Sequence, residues 1–215
     1  MVVDKKPDRR RERSQQTRHR IVEAATQLFL VRGYVNSTIE DVASEAGVAG
    51  QTVYYVFGTK PQLLAAVLDA SIAGDAEPVP IIERAWVDSL RAEPDAATAV
   101  QLLVDASVPI VVRTAPIYEV VRRAASDADV SILLEETRRK RRRDQRALIT
   151  TLADAGHLSP EVSIDAATDA FYGLVNEEVF QLLTGDCGWG VDRYRRWATG
   201  HLVHELLGAT PSIAL

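Results

Sequence analysis

Residues 38–60 of this 215-residue chain, TIEDVASEAGVAGQTVYYVFGTK, leave the backbone few choices. Ile39, Val42, Ala43 and Ala46 recur at i, i+3, i+4 and i+7, so one helical stripe is apolar while Glu40, Asp41, Ser44 and Glu45 face water. Thr38 is a good N-cap, and Asp41 three residues on supplies the acid of a capping box. Gly47 then stops the helix, where the backbone must turn left-handed. A second short helix is expected from near Gly50 to Phe57. Two short helices around a glycine-containing turn make a helix-turn-helix, whose second helix enters the DNA major groove.

That second helix must bury one side and offer the other to base edges. Val48, Val53 and Phe57 can pack against the first helix, which leaves Gly50, Gln51, Thr52, Tyr54, Tyr55 and Val56 for the outer surface or its borders. Two adjacent tyrosines on so short a helix are costly as solvent decoration, because much of each ring stays wet. They make better sense beside sugar-phosphate backbone and thymine methyls.

At this level of detail the segment resembles the DNA-binding domain of the TetR family of bacterial transcriptional regulators. The residues that carry the resemblance are Phe29, Gly33-Tyr34, Thr38-Ile39, Val42-Ala43, Gly47-Val48, Thr52, Tyr54-Tyr55, Phe57-Gly58, Lys60 and Leu63-Leu64. Val56 departs from the pattern, since the family often has a histidine after the tyrosine pair. A looser similarity covers the C-terminal end, from Glu178-Val179-Phe180-Gln181-Leu182-Leu183 through Gly188-Trp189 to Tyr194-Arg195-Arg196-Trp197. The resemblance implies a dimeric four-helix bundle built from the final helices, and an effector pocket in the larger domain.

Net charge looks wrong for a DNA-binding chain until it is divided. The whole carries −5, but residues 1–60 hold 10 basic and 7 acidic side chains, a balance of +3, which leaves −8 for the remainder. The basic end is the end with the helix-turn-helix, and polarity along the chain is what nucleic acid responds to. The single cysteine, Cys187, rules out an internal disulfide framework and fits a reducing cytoplasm. Residues from Asp4 onward are too charged for a signal peptide, and the densest apolar run, 108–112, is too short to span a bilayer. A cytoplasmic protein without membrane partners is expected.

In chain order, residues 1–14 read as a flexible basic arm, either a solvated tail or a source of phosphate and minor-groove contacts through Lys5, Lys6, Arg9, Arg10, Arg11 and Arg13. The helix-turn-helix domain is placed at 15–60, opened by a helix to about Arg32 with Ile21, Ala24, Ala25, Leu28 and Phe29 inside. Thr59 and Gln62 form a capping box for a fourth helix, which puts Lys60 in a first turn that already favours an anion. Leu63, Leu64, Val67, Leu68 and Ile72 form its buried stripe, and Gly74, Pro78 and Pro80 end it. This helix links the two domains.

Residues 61–215 are expected to be a helical effector-binding and dimerisation domain, with helices near 81–91, 94–114, 115–126, 129–155, 162–184 and 191–208. Pro109 should kink the second, and the basic run 138–143 winds round a whole helix, so it reads as a solvated, salt-bridged surface. The segment 162–184 is apolar on two sides and so needs two partners, one of them a second subunit. Phe171, Val175, Val179, Leu182, Trp197 and His201 are the interface candidates. Trp86, Tyr118 and Tyr172 are placed near the effector pocket, with Arg122 or Asn176 as polar anchors.

The expected whole is all-α: a three-helix DNA-binding domain plus a larger helical ligand-binding and dimerisation domain. Its function would be that of a homodimeric repressor, bound to a palindromic double-stranded operator and released by a small-molecule effector. Gln51 is the best direct base reader, because its amide pairs bidentately with adenine. Gly50 is counted with the DNA-facing residues, Tyr54 meets base edges or a thymine methyl, and Thr38, Thr52, Tyr55 and Lys60 hold phosphates. The alternatives are a ligand-independent regulator or an activator, a helical protein-binding module, or an enzyme in the unmatched middle. His201, His204 and Glu205 read as helix packing rather than a metal site, and no phosphate loop, nucleophile elbow or paired-cysteine motif is present. No catalysis, cofactor or metal is expected.

Overall fold

The computed structural model describes residues 9–74 and 80–208. Among them there is no strand, and the elements are α1 (Arg9–Arg32), α2 (Ile39–Glu45), α3 (Gly50–Phe57), α4 (Lys60–Ala73), α5 (Ala85–Ala92), α6 (Ala96–Arg123), α7 (Ala128–Asp154), α8 (Ile164–Leu174), α9 (Glu177–Gln181) and α10 (Val191–Leu207). A 3₁₀ turn at Ile81–Glu83 and a π turn at Leu182–Asp186 complete the set. The chain forms two compact units. One comprises residues up to Ala70 with Ile117–Leu133, the other Ser71–Pro116 with residues from Leu134.

The first unit is built on the pattern of its N-terminal half. Ile21, Ala25, Phe29, Val42, Val53, Leu63 and Leu64 are buried almost completely. Tyr34 closes the α1–α2 corner against Phe29, the ring centroids 5.6 Å apart. Both capping boxes form: Asp41 N–H donates to Thr38 Oγ1 at 3.0 Å while Thr38 N–H donates to Asp41 Oδ2 at 2.9 Å. Thr59 and Gln62 repeat the arrangement at α4. Gly47 has φ +64°, the left-handed turn that only glycine adopts without strain. The segment 117–133, expected in the larger domain, packs here instead, with Ile117, Tyr118, Val121 and Val130 buried.

Three expectations about helices change. Residues 9–14 are the first turns of α1 rather than part of a flexible arm, while residues 1–8, with Lys5 and Lys6, lie outside the described residues. Helix α6 runs through Pro109 and Pro116 without the expected break at 115. Both prolines are exposed, while Val108, Ala115, Ile117 and Tyr118 on the other side are buried, and packing of that stripe outweighs the missing N–H donors.

The segment 162–184 is not one helix but breaks at Val175 and Asn176. Asn176 caps α9, its Oδ1 accepting from Val179 N–H at 2.8 Å, and its amide donates back to the carbonyls of Tyr172 and Gly173. The carbonyl oxygens of Leu174 and Val175 accept from Tyr194 and Gln145, at 2.9 and 3.0 Å. Every carbonyl from Phe171 to Val175 that the break frees therefore has a donor.

The second unit closes around Val100, Leu103, Val104, Val108, Ile149, Leu152, Phe171, Tyr194, Ala198, Leu202 and Leu206. Helix α6 is long and apolar enough to cross a membrane by composition, but its apolar stripe is core here.

Candidate nucleic-acid interface

Helix α3 is two-faced in the required way. Val53 and Phe57 are buried, whereas Gln51 is exposed, Tyr54 is 44% exposed and Tyr55 is 89% exposed. Gly50 and Thr52 lie at the border. Arg18 of α1 sets its guanidinium 4.5 Å from the centroid of the Phe57 ring, tying α1 to the end of α3. Gly58 ends the helix at φ +79°, and a Cβ there would run into the Gln62 side chain that caps α4.

Thr38 stands at the N-terminus of α2 and Lys60 in the first turn of α4, both in the same compact unit as α3. The Thr38 hydroxyl is already engaged, donating to Asp41 Oδ2 at 2.7 Å, so what it offers an incoming phosphate is a shared proton. These bonds from Thr38 hold the Asp41 carboxyl below the usual carboxylate range, helped by Arg32 and Lys60. The Lys60 Nζ, expected only to meet a phosphate, sits 4.1 Å from the centroid of the Tyr34 ring. Partial burial pushes its pKa down, against the pull of Asp127 and Asp41. The Tyr34 hydroxyl is pushed up to about 12, first by burial and then by the charges of Asp127 and Asp129. No local pattern signals this pairing, because Tyr34 and Lys60 belong to different elements 26 positions apart.

The effector candidates are divided between the two units. Tyr118 and Arg122 belong to the first unit, where Tyr118 is buried and Arg122 is exposed in an ion pair with Glu119. Trp86, Tyr172 and Asn176 belong to the second. Trp86 is half-buried against that unit's core, and the Asn176 amide is consumed by the helix break. Around Tyr172 there is a polar cluster that the sequence reading missed. Arg141 donates to Glu177 and, at 3.2 Å, to Tyr172 Oη, and Thr114 Oγ1 donates to Glu177 Oε1 at 2.9 Å. The basic run is salt-bridged as expected, with Arg138 to Glu178, Arg142 to Asp169 and Arg146 to Asp165.

Two interface candidates are corrected. Phe171 and Val175 are 0% and 1% exposed within the single chain, filling its own core, so they have no surface left for a partner. Leu182 is 52% exposed, Val179 and Trp197 are partly buried, and His201 is exposed, its ring 4.9 Å from that of Trp197. Among the described residues no group of His, Cys, Asp and Glu could hold a metal ion.

Residues 21–67 match the family model described as bacterial regulatory proteins, tetR family. That match lies within the helix-turn-helix end of the chain, from α1 into α4. The HTH-type transcriptional regulator TtgR of Pseudomonas putida is 40% identical over 62 residues, 29% of this chain and 30% of that relative. The matched stretch thus spans less than a third of that regulator's length. Beyond it the likeness is one of fold. A TetR-family transcriptional regulator from Mesorhizobium loti superposes with a TM-score of 0.68 at 20% identity, over 88% of this chain and 95% of that one. The regulator FadR from Bacillus subtilis, in complex with stearoyl-CoA, gives 0.67 at 18% identity, over 87% and 98%. The chain is therefore similar to named regulators in the sequence of its N-terminal part and to solved ones in its fold.

Proposed function

We propose that this protein is a sequence-specific DNA-binding transcriptional repressor that acts as a homodimer and is released by a small molecule. The observation that carries the reading is α3, whose Val53 and Phe57 are buried while Gln51, Tyr54 and Tyr55 are presented outward. A major groove about 12 Å wide admits such a helix, and Gln51 offers an amide that pairs bidentately with adenine. Tyr54 meets base edges or a thymine methyl, and Thr38, Thr52, Tyr55 and Lys60 take the phosphates on either side. Gly50 keeps the helix start close to the groove.

Dimerisation uses the half-exposed Leu182 with the partly buried Val179 and Trp197 and the exposed His201. Two-fold symmetry then demands a palindromic operator with half-sites about 34–36 Å apart or a multiple of that. The effector occupies the second unit. Stearoyl-CoA, present in the FadR complex from Bacillus subtilis, is the first compound to screen. Trp86 and Tyr172 are the aromatic contacts retained for it.

In-vitro selection from a random duplex pool tests the reading. Enrichment of an inverted repeat supports it. Failure to enrich any sequence, or enrichment of a single asymmetric half-site, overturns the dimeric operator.

A further inference from the structure

The half of α1 that precedes Ile21, its first buried residue, is polar all round. Residues 9–20 hold six arginines and one glutamate, and of residues 11–20 all but the partly buried Thr17 are exposed. Such a stretch gains nothing from packing against the core, and short helices are marginal alone in water. Arg13, Gln16, Thr17 and Arg20 fall at i, i+3, i+4 and i+7 and so share one face. Together with His19 they line a groove of about 570 Å³ in which every lining side chain can donate a hydrogen bond and none is a carboxylate. Of the acids on this part of α1, Glu23 is held by His19 Nε2 at 3.2 Å and Glu12 is exposed. The basic run of α7 is different, because Arg138, Arg141 and Arg142 meet Glu178, Glu177 and Asp169. On α1, His19 and Arg32 are drawn into ion pairs; among the described residues Arg13 and Arg20 are not. Arg18 lies in the same stretch, its guanidinium 4.5 Å from the centroid of the Phe57 ring at the end of α3. That contact fixes the stretch beside the base-reading helix, inside one compact unit.

We propose that the Arg13–Arg20 face of α1 is a second DNA-contacting element, which grips phosphates flanking the bases read by α3. The inference rests on the DNA-binding reading given above and lengthens its footprint. Charge complementarity names the occupant, since each strand of a duplex carries one negative charge per about 3.4 Å of axis. Arg13 and Arg20 stand two helical turns apart, about 10 Å at about 1.5 Å per residue, so each guanidinium meets a phosphate of its own. A guanidinium matches two phosphate oxygens at once, and the Gln16 amide and Thr17 hydroxyl are neutral donors between the two cations. Contacts of this kind fix the register of a protein on the duplex and carry no sequence information. Arg18 acts as a positioning residue, holding the stretch to α3 through the Phe57 ring.

The test is fluorescence anisotropy over a range of salt concentrations, using the full chain and the duplex recovered by selection. Arg13→Gln with Arg20→Gln removes two charges from exposed positions and keeps a good helix former at each. The slope of log affinity against log salt is expected to fall by about two units. The loss of affinity should be the same factor on the selected duplex and on a scrambled one, because phosphate contacts are blind to sequence. Arg139→Gln with Arg143→Gln removes the same charge from exposed positions on α7 and should leave the slope as it was. Trimming the duplex to the palindrome alone should weaken the unaltered protein and not the α1 variant. An unchanged slope for the α1 variant overturns the proposal. Equal changes in the α1 and α7 variants overturn it too, because the general field of the protein would then account for both. A loss confined to the selected duplex would make these residues base readers and overturns the phosphate role. If the unaltered protein binds selected and scrambled duplexes equally, base reading by α3 falls, while the two slopes still decide the role of α1.

Discussion

The Tyr194 hydroxyl donates to the carbonyl of Leu174 at 2.9 Å, from a side chain with no exposed surface. It thereby anchors α10 to the point where α8 breaks. Burial raises the pKa of this phenol, so it stays a donor throughout the ordinary pH range. Tyr194→Phe leaves the Leu174 carbonyl unsatisfied and should cost about 1–3 kcal/mol. Asn176→Ala, which removes the α9 cap, should cost about 0.5–2 kcal/mol. Urea unfolding of each variant checks both, and midpoints equal to that of the unaltered protein would mean the break is not held by these side chains.

The DNA contacts separate by kind. Gln51→Ala should relax specificity at one or two base pairs at a cost of about 1–3 kcal/mol. Lys60→Ala should weaken all sequences together and reduce the slope of log affinity against log salt by about one unit. Anisotropy titrations at several salt concentrations distinguish the two signatures.

What was legible in the sequence was local. The stripe of Ile39, Val42 and Ala43, the Thr38 and Thr59 caps and the Gly47 turn each depend on residues within a few positions of one another, and each forms as read. What stayed hidden depended on distant partners. An apolar residue such as Val175 reads the same whether its own core or a second chain covers it, and only burial shows that the core does. Pro116 reads as a stop unless the burial of Ile117 and Tyr118 behind it is known. Asn176 before Glu177 and Glu178 is a cap signal in plain view, masked by the apolar residues on both sides of it.

Assembly gives a contrast between two residues of the same region. Leu182→Asp should yield a folded monomer with weakened operator binding, because the side chain is half exposed in the single chain. Val175→Asp should instead unfold the second unit, since a charge would be buried without a partner. Sedimentation velocity and circular dichroism together separate the outcomes. A folded, dimeric Leu182→Asp variant would remove that residue from the interface.

Acid should loosen the protein through its paired carboxylates. Hydrogen bonds from Arg122 hold Glu119 below its ordinary pKa, joined by Arg123, and those from Thr38 do the same for Asp41. A carboxyl with a depressed folded-state pKa contributes stability that is present above its unfolded value, about 4, and is lost as pH falls through the folded value. Thermal midpoints should therefore be flat with respect to these groups near neutrality and fall below about pH 4. Thr38→Val should reduce the Asp41 share of that fall.

Effector release follows the reciprocity of linked equilibria. A ligand that weakens operator affinity roughly 5- to 150-fold must itself be weakened by operator by the same factor. Titrating a ligand found by thermal-shift screening, with and without operator, measures both arms. Equal ligand affinities in the two titrations would leave a regulator that binds DNA regardless of ligand.

The most direct measurement of the central claim is the affinity of the purified protein for the selected duplex against a scrambled duplex of the same length, at one physiological salt concentration. Sequence reading by α3 predicts tighter binding to the selected duplex by about 10³-fold or more, with two chains on each duplex. Equal affinity for the two duplexes would contradict it.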